Sequence, residues 1–162
     1  TYAVLDTMAK KLKGPEARAR FVTIEPEEFC YGALRKNLED RLDQFTLVRT
    51  IADIPKDLGS VDFLIIDGLG EDPRLFENLS RHAVVFVEGF RAKQLEVVET
   101  LYAGKRSFAM GRFHTTKERG YYVFLFEPTA GNKVALRLLS QYFRARSIYQ
   151  SALQFADFAK RD

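Results

Sequence analysis

The run Val61-Asp62-Phe63-Leu64-Ile65-Ile66 is almost continuously apolar and stops at Asp67-Gly68. A short apolar run bounded by turn residues suits a strand covered on both faces, as in a parallel sheet. The pattern recurs at Phe21-Val22-Thr23-Ile24, which stops at Glu25-Pro26, and at Ala83-Val84-Val85-Phe86-Val87, which stops at Glu88-Gly89. Helical segments separate the runs. One starts at Glu25-Pro26-Glu27-Glu28 and extends to about Leu42, where proline and acids suit the first turn. A second starts at Asp72-Pro73 and extends to about Ser80, and a third spans Arg91 to Tyr102. Alternation of this kind predicts an α/β fold with a doubly wound, mostly parallel sheet.

The remaining segments fill in this plan. Thr1 to Leu12 reads as a helix, with Ala3, Val4, Met8 and Leu12 at helical spacing and Gly14-Pro15 as its stop. The helix after Glu25 is expected to bury Phe29, Ala33, Leu34 and Leu38. Phe45 to Arg49 reads as a strand, and Ile54 to Gly59 as a turn. Leu95, Val98 and Leu101 are the apolar positions of the Arg91–Tyr102 helix. Ser107 to Phe113 and Tyr121 to Phe126 read as strands joined by a polar loop, Thr115 to Gly120, a hairpin pattern that adds an antiparallel strand at one edge. Ala130 to about Lys160 is helical, with a break admitted near Ser147. Leu136, Leu139, Tyr142, Phe143, Ile148, Tyr149, Leu153, Phe155 and Phe158 give it a wide apolar surface. The expected organisation is an α/β domain over 1–128 and a basic amphipathic helical tail over 129–162.

Composition narrows the classes. Cys30 is the one cysteine, so neither an internal disulfide nor a cysteine-built zinc site is available. His82 and His114 lie too far apart in sequence to form a metal-ligand spacing. Apolar runs such as Tyr121 to Phe126 fall well short of the roughly 20 residues that cross a bilayer. The charged, helical start does not read as a signal peptide. A soluble cytoplasmic protein is the expectation. No Gly-x-x-x-x-Gly-Lys-Ser/Thr occurs, which disfavours a P-loop nucleotidase.

The formal charge of the 162 residues is +3, but it is unevenly spread. From Thr129 to Asp162 there are six basic and two acidic residues, a balance of +4, while the rest of the chain holds 19 and 20, a balance of −1. Three readings of the tail follow: a helix packed on the sheet or on a second subunit with its arginines solvated, a protein-partner surface rich in tyrosine and arginine, or a nucleic-acid contact through Arg137, Arg144 and Arg146. The first is favoured; nucleic acid is the least supported.

Open parallel sheets bind ligands beyond the carboxyl ends of their strands. Glu25, Asp67 and Glu88 each follow such an end and are expected along one edge of the sheet. An acid after the second strand of a dinucleotide-type fold accepts hydrogen bonds from ribose hydroxyls. The alternative for Glu25 is a helix-capping acid before Pro26, and for Asp67 and Glu88 a turn or cap residue. His114 lies in a basic loop and reads as a surface residue, its pKa lowered by its neighbours. Cys30 reads as a small packed side chain, and His82 carries no assigned role.

The order of elements, with Phe21-Val22-Thr23-Ile24-Glu25-Pro26, Phe45 to Val48, Val61 to Gly68, Val84 to Glu88 and the closing hairpin, resembles the class I S-adenosylmethionine-dependent methyltransferases. The match runs from about Thr1 to Pro128 and is nearest to the small-molecule O-methyltransferase-like group, whose fourth strand ends in Asp-Gly. The resemblance implies a Rossmann-like sheet, S-adenosylmethionine as cofactor and a small-molecule substrate. Glu25 then matches the acid that holds the cofactor ribose, and Asp67 with Gly68 the turn beside the methionine moiety. Asp67 and Glu88 match positions where some members bind a metal, with magnesium the ion their oxygens suit. The adenine-side acid has no clear match: Thr50-Ile51 stands at its register, with Asp53 two residues on.

The family's glycine-rich loop after its first strand is absent. Thr1 to Leu12 matches the helix that follows that loop. Either the chain is a fragment whose first strand lies upstream, which is the favoured expectation, or it is a degenerate domain without a cofactor site. Without that strand, the strand at Val61 exposes an unpaired edge. The competing function is a non-catalytic methyltransferase-like module that binds a protein partner or forms a homodimer through the 129–162 tail.

Overall fold

The computed structural model describes residues 21–37, 39, 45–67, 74–89, 92–104, 106–114 and 120–158. The Thr1–Leu12 helix, Gly68, Leu38, Leu42 and the 115–119 loop lie outside them. The chain divides into two compact units, Thr1–Gly59 and Ser60–Asp162.

In the first unit, β1 (Phe21–Ile24) pairs in parallel with β2 (Phe45–Val48), Phe21 opposite Phe45 and Ile24 opposite Val48. Helix α1 (Glu28–Asn37) joins them, with Glu28 in its first turn and Arg35 and Lys36 in its last, as the helix dipole favours. A single 3-10 turn, Ile51–Asp53, follows β2. The expected burial along α1 does not occur. Phe29 is 87% exposed, Ala33 and Cys30 are exposed, and Leu34 is half-buried. A two-stranded sheet offers one helix little apolar surface to bury against. The expectation that Cys30 is packed is therefore corrected.

The second unit carries the core. Its sheet contains β3 (Val61–Ile66), β4 (Leu79–Glu88), β5 (Phe108–His114) and β6 (Gly120–Phe126) in the order β3-β4-β6-β5. β3 and β4 are parallel, whereas β6 runs antiparallel to both β4 and β5. The sheet is thus mixed rather than mostly parallel in its pairings. The antiparallel strand is not at the edge: β6 lies between β4 and β5. Its sequence explains the placement, because Tyr122, Val123, Phe124 and Phe126 are all buried, as a strand covered on both sides requires. Among the described residues the strands form two separate sheets rather than one doubly wound sheet. Among the described residues β3 has one unpaired edge, and Ile65 is 50% exposed.

Strand β4 supplies the centre of the core through Ala83, Val85 and Val87, which alternate as a strand face must. They cluster with Val97, Val98 and Leu101 of α3 (Ala92–Ala103) and with Phe124 and Phe126. Leu95 instead faces solvent at 43% exposure. β4 begins at Leu79, so the helix expected from Asp72 to about Ser80 is confined to α2 (Arg74–Glu77). Arg106 anchors this junction: its guanidinium donates to the Ser80 and Arg81 carbonyls at 2.6 and 3.0 Å and lies 4.5 Å from the Phe126 ring.

Helix α4 (Ala130–Phe158) runs unbroken through Ser147, contrary to the admitted break. Thr129 caps it, its hydroxyl accepting the Asn132 N–H at 3.1 Å. Leu136, Ser140 and Phe143 face β5. Ser140 Oγ donates to the Arg112 carbonyl at 2.6 Å, and Phe143 meets Phe113 edge-on at 5.6 Å. Gly111 makes room for this approach, because a Cβ there would stand 3.0 Å from Leu136. Among the described residues, no helix is long and apolar enough to cross a membrane.

Candidate functional site

The acids expected at strand ends fall into two groups, one in each unit. In the second unit, Ile66 pairs with Val87 in parallel register. The next residues, Asp67 and Glu88, therefore end neighbouring strands whose backbones lie about 5 Å apart. Asp67 is exposed and Glu88 partly buried. This is the carboxyl end of the β3–β4 pair, where open sheets place their ligands. Gly89 turns the chain immediately afterwards with φ +89°, a conformation that favours glycine, and its N–H donates to the Gly120 carbonyl at 2.6 Å.

One residue at this end carried no sequence signal. Gln94, in the first turn of α3, is 5% exposed, and its Oε1 has no hydrogen-bond partner among the described residues. Its carboxamide packs against Gly89, 3.7 Å from where a Cβ would stand. Only its place one turn into a helix that follows Glu88-Gly89 would have singled it out.

In the first unit, Glu25 extends the parallel pairing of β1, donating its N–H to the Val48 carbonyl at 3.0 Å. Glu25 Oε1 accepts the Glu27 N–H at 3.0 Å, so the helix-capping role exists. A carboxylate has about four acceptor directions, and this contact uses one, leaving capacity for the two hydroxyls of a ribose. Asp53 closes its own turn: Oδ2 accepts the Thr50 N–H at 3.1 Å and the Thr50 hydroxyl at 2.9 Å. Arg49 is the fastener that sequence reading missed. It pairs with Glu28, donates to the Pro26 carbonyl at 2.9 Å and lies 5.6 Å from the Tyr31 ring. It thus ties the end of β2 to the turn that carries Glu25. An arginine directly after a strand was its only sequence mark.

The metal expectation fares differently. Among the described residues, no group of three or more His, Cys, Asp or Glu side chains is placed to hold a metal ion. Asp67 and Glu88 are two oxygen donors where magnesium takes about six ligands, partly water. The residues described do not make a magnesium site.

His114 ends β5. Burial lowers its pKa first, with the Arg112 and Arg144 guanidiniums adding to the effect. The sequence anticipated the Arg112 contribution; Arg144 comes from α4, which lies along the strand.

No family model matches the sequence, and no curated protein is similar to it. Solved structures are similar to it in fold. A methyltransferase from Pyrococcus furiosus is 17% identical, with a TM-score of 0.51 over 78% of this chain and 70% of that one. The N-terminal domain of human METTL16, solved in complex with SAH, is 12% identical, with a TM-score of 0.48 over 76% of this chain and 67% of that one. At 17% identity the likeness to the Pyrococcus enzyme is one of architecture: the chain has an α/β fold with a mixed sheet and a C-terminal helix, like that of a methyltransferase.

Proposed function

We propose that this chain is an S-adenosylmethionine-dependent methyltransferase domain acting on a small molecule. The observation that carries the reading is the register Ile66 to Val87, which sets Asp67 and Glu88 side by side at the carboxyl end of β3 and β4. The fold likeness to the Pyrococcus methyltransferase and the family resemblance of the strand ends support it. The family resemblance matches Glu25 to the acid that holds the cofactor ribose, and Asp67-Gly68 to the turn that ends the fourth strand. S-adenosylmethionine, when bound, supplies a methyl group activated for transfer to an oxygen or nitrogen. The chain's part is binding and alignment, which carry most of the rate of an in-line transfer. Titration calorimetry with S-adenosylhomocysteine tests the proposal, with Glu25→Ala as the variant that removes the ribose acceptor.

A second reading, a non-catalytic methyltransferase-like module that binds through 129–162, is favoured by a different feature, the exposed apolar face of α4. Absence of S-adenosylhomocysteine binding leaves that reading in place and removes the first.

A further inference from the structure

Among the described residues β5 is an edge of its sheet, and Met110 stands near its middle, 38% exposed. Its register partner on β6 is Phe124, which is fully buried in the core that α3 covers. Paired residues share a face, so Met110 lies on the α3 side of the sheet. Tyr102, in the last turn of α3, reaches over the strand, and its hydroxyl donates to Met110 Sδ at 3.5 Å. The Tyr102 ring is held from below. It meets Phe108 edge-on at 4.7 Å and Phe124 edge-on at 6.1 Å. The donor is thus anchored in the core, while Tyr102 itself is 49% exposed.

An exposed thioether is open to a two-electron oxidant. Its sulfur has two lone pairs, and Tyr102 engages one of them. The other can attack hydrogen peroxide. Sulfur gives an electron pair to the nearer oxygen as the O–O bond breaks. The departing hydroxide takes the proton left on that first oxygen and becomes water. Sulfur is oxidised by two electrons, and the peroxide is reduced. The product is a polar sulfoxide, which disrupts an apolar core where nothing receives its oxygen. Here it forms beside a hydroxyl already aimed at the sulfur. A thioether accepts a hydrogen bond only weakly, and the sulfoxide oxygen is a far better acceptor. The flexible methionine chain can turn that oxygen toward Tyr102. The phenol then exchanges a weak hydrogen bond for a stronger one.

We propose that Met110 is an oxidative modification site for hydrogen peroxide, at which the Tyr102 hydroxyl receives the sulfoxide oxygen and the fold is kept. The proposal does not depend on methyl transfer. It is tested on the full chain carrying Met8→Leu and Cys30→Ser, which leaves Met110 as the one methionine and removes the one thiol. Mass spectrometry should find a single added oxygen on the Met110 peptide as N-acetylmethionine in the same tube is consumed. Met110→Leu should abolish that gain, and methionine sulfoxide reductase should reverse it. Oxidation should leave the melting temperature within about 2 °C of the reduced chain, whereas with Tyr102→Phe, which keeps the ring, it should cause a further fall of about 2–4 °C, the value of one hydrogen bond in a chain of this size. A Met110 left unoxidised when the N-acetylmethionine is spent overturns the proposal. So does an equal shift with and without the Tyr102 hydroxyl, or loss of the cooperative melt when Tyr102 is present.

Discussion

Replacing Gln94 by methionine should make the protein more stable. The side chain is 5% exposed, and Oε1 has no hydrogen-bond partner among the described residues. A buried acceptor left unpaired costs about 1–3 kcal/mol relative to the same group in water. Methionine keeps the length and flexibility of glutamine and removes the orphaned atom, so its thioether can occupy the space beside Gly89. The neighbours on α3, Val97 and Val98, are buried and apolar and accept such a group. For a chain of this size each kcal/mol moves the melting temperature by about 2–4 °C, so a gain of about 1–2 kcal/mol gives a rise of roughly 2–8 °C. Thermal unfolding followed by circular dichroism, with a urea titration for the free energy, reads the change. Gln94→Glu serves as the opposite control, because it buries a charge at the same place. A methionine variant that melts below the parent would show that Oε1 is paired in solution and refute the reasoning.

Gly111→Ala should destabilise the second unit by about 1–3 kcal/mol through overpacking, because the new Cβ would stand 2.8 Å from the Phe113 ring and 3.0 Å from Leu136. A urea-based double-mutant cycle with Leu136→Ala should recover part of that loss; strict additivity would argue against the contact. His114 has its pKa lowered in the folded state by burial and by Arg112 and Arg144. Its contribution is therefore complete above the unfolded value near 6.5 and is lost as pH falls through the lower folded value. His114→Asn should flatten the stability profile over that acid range, and an unchanged profile would remove His114 as its source.

The sequence made the strand ends legible because buried strands are written as unbroken apolar runs, and the acids that stop them mark the end of each run. β3 and the core half of β4 were readable for that reason. The position of β6 was not anticipated. Its seven residues are more continuously apolar than the Phe108–His114 strand, which marks it as internal, but the hairpin pattern alone does not say which partner faces β4. The first two residues of β4, Leu79 and Ser80, read as the end of a helix, whereas Arg106 tethers the 79–81 carbonyls at the start of a strand. Helix α1 misled in the opposite sense. Its apolar positions suggested a buried face, yet the two-stranded sheet beside it leaves Phe29 exposed. Contacts between residues distant in sequence, such as Arg49 with the Pro26 turn and Ser140 with Arg112, leave no periodic trace in a sequence.

Cofactor binding is measured by calorimetric titration with S-adenosylhomocysteine. A saturable heat with one site per chain is expected. Glu25→Ala should lose about 10–100-fold in affinity, the value of hydrogen bonds to a charged acceptor. A thermal scan of that variant separates the loss from the helix-capping bond to Glu27. No heat with the parent protein, or an affinity untouched by Glu25→Ala, would contradict the account.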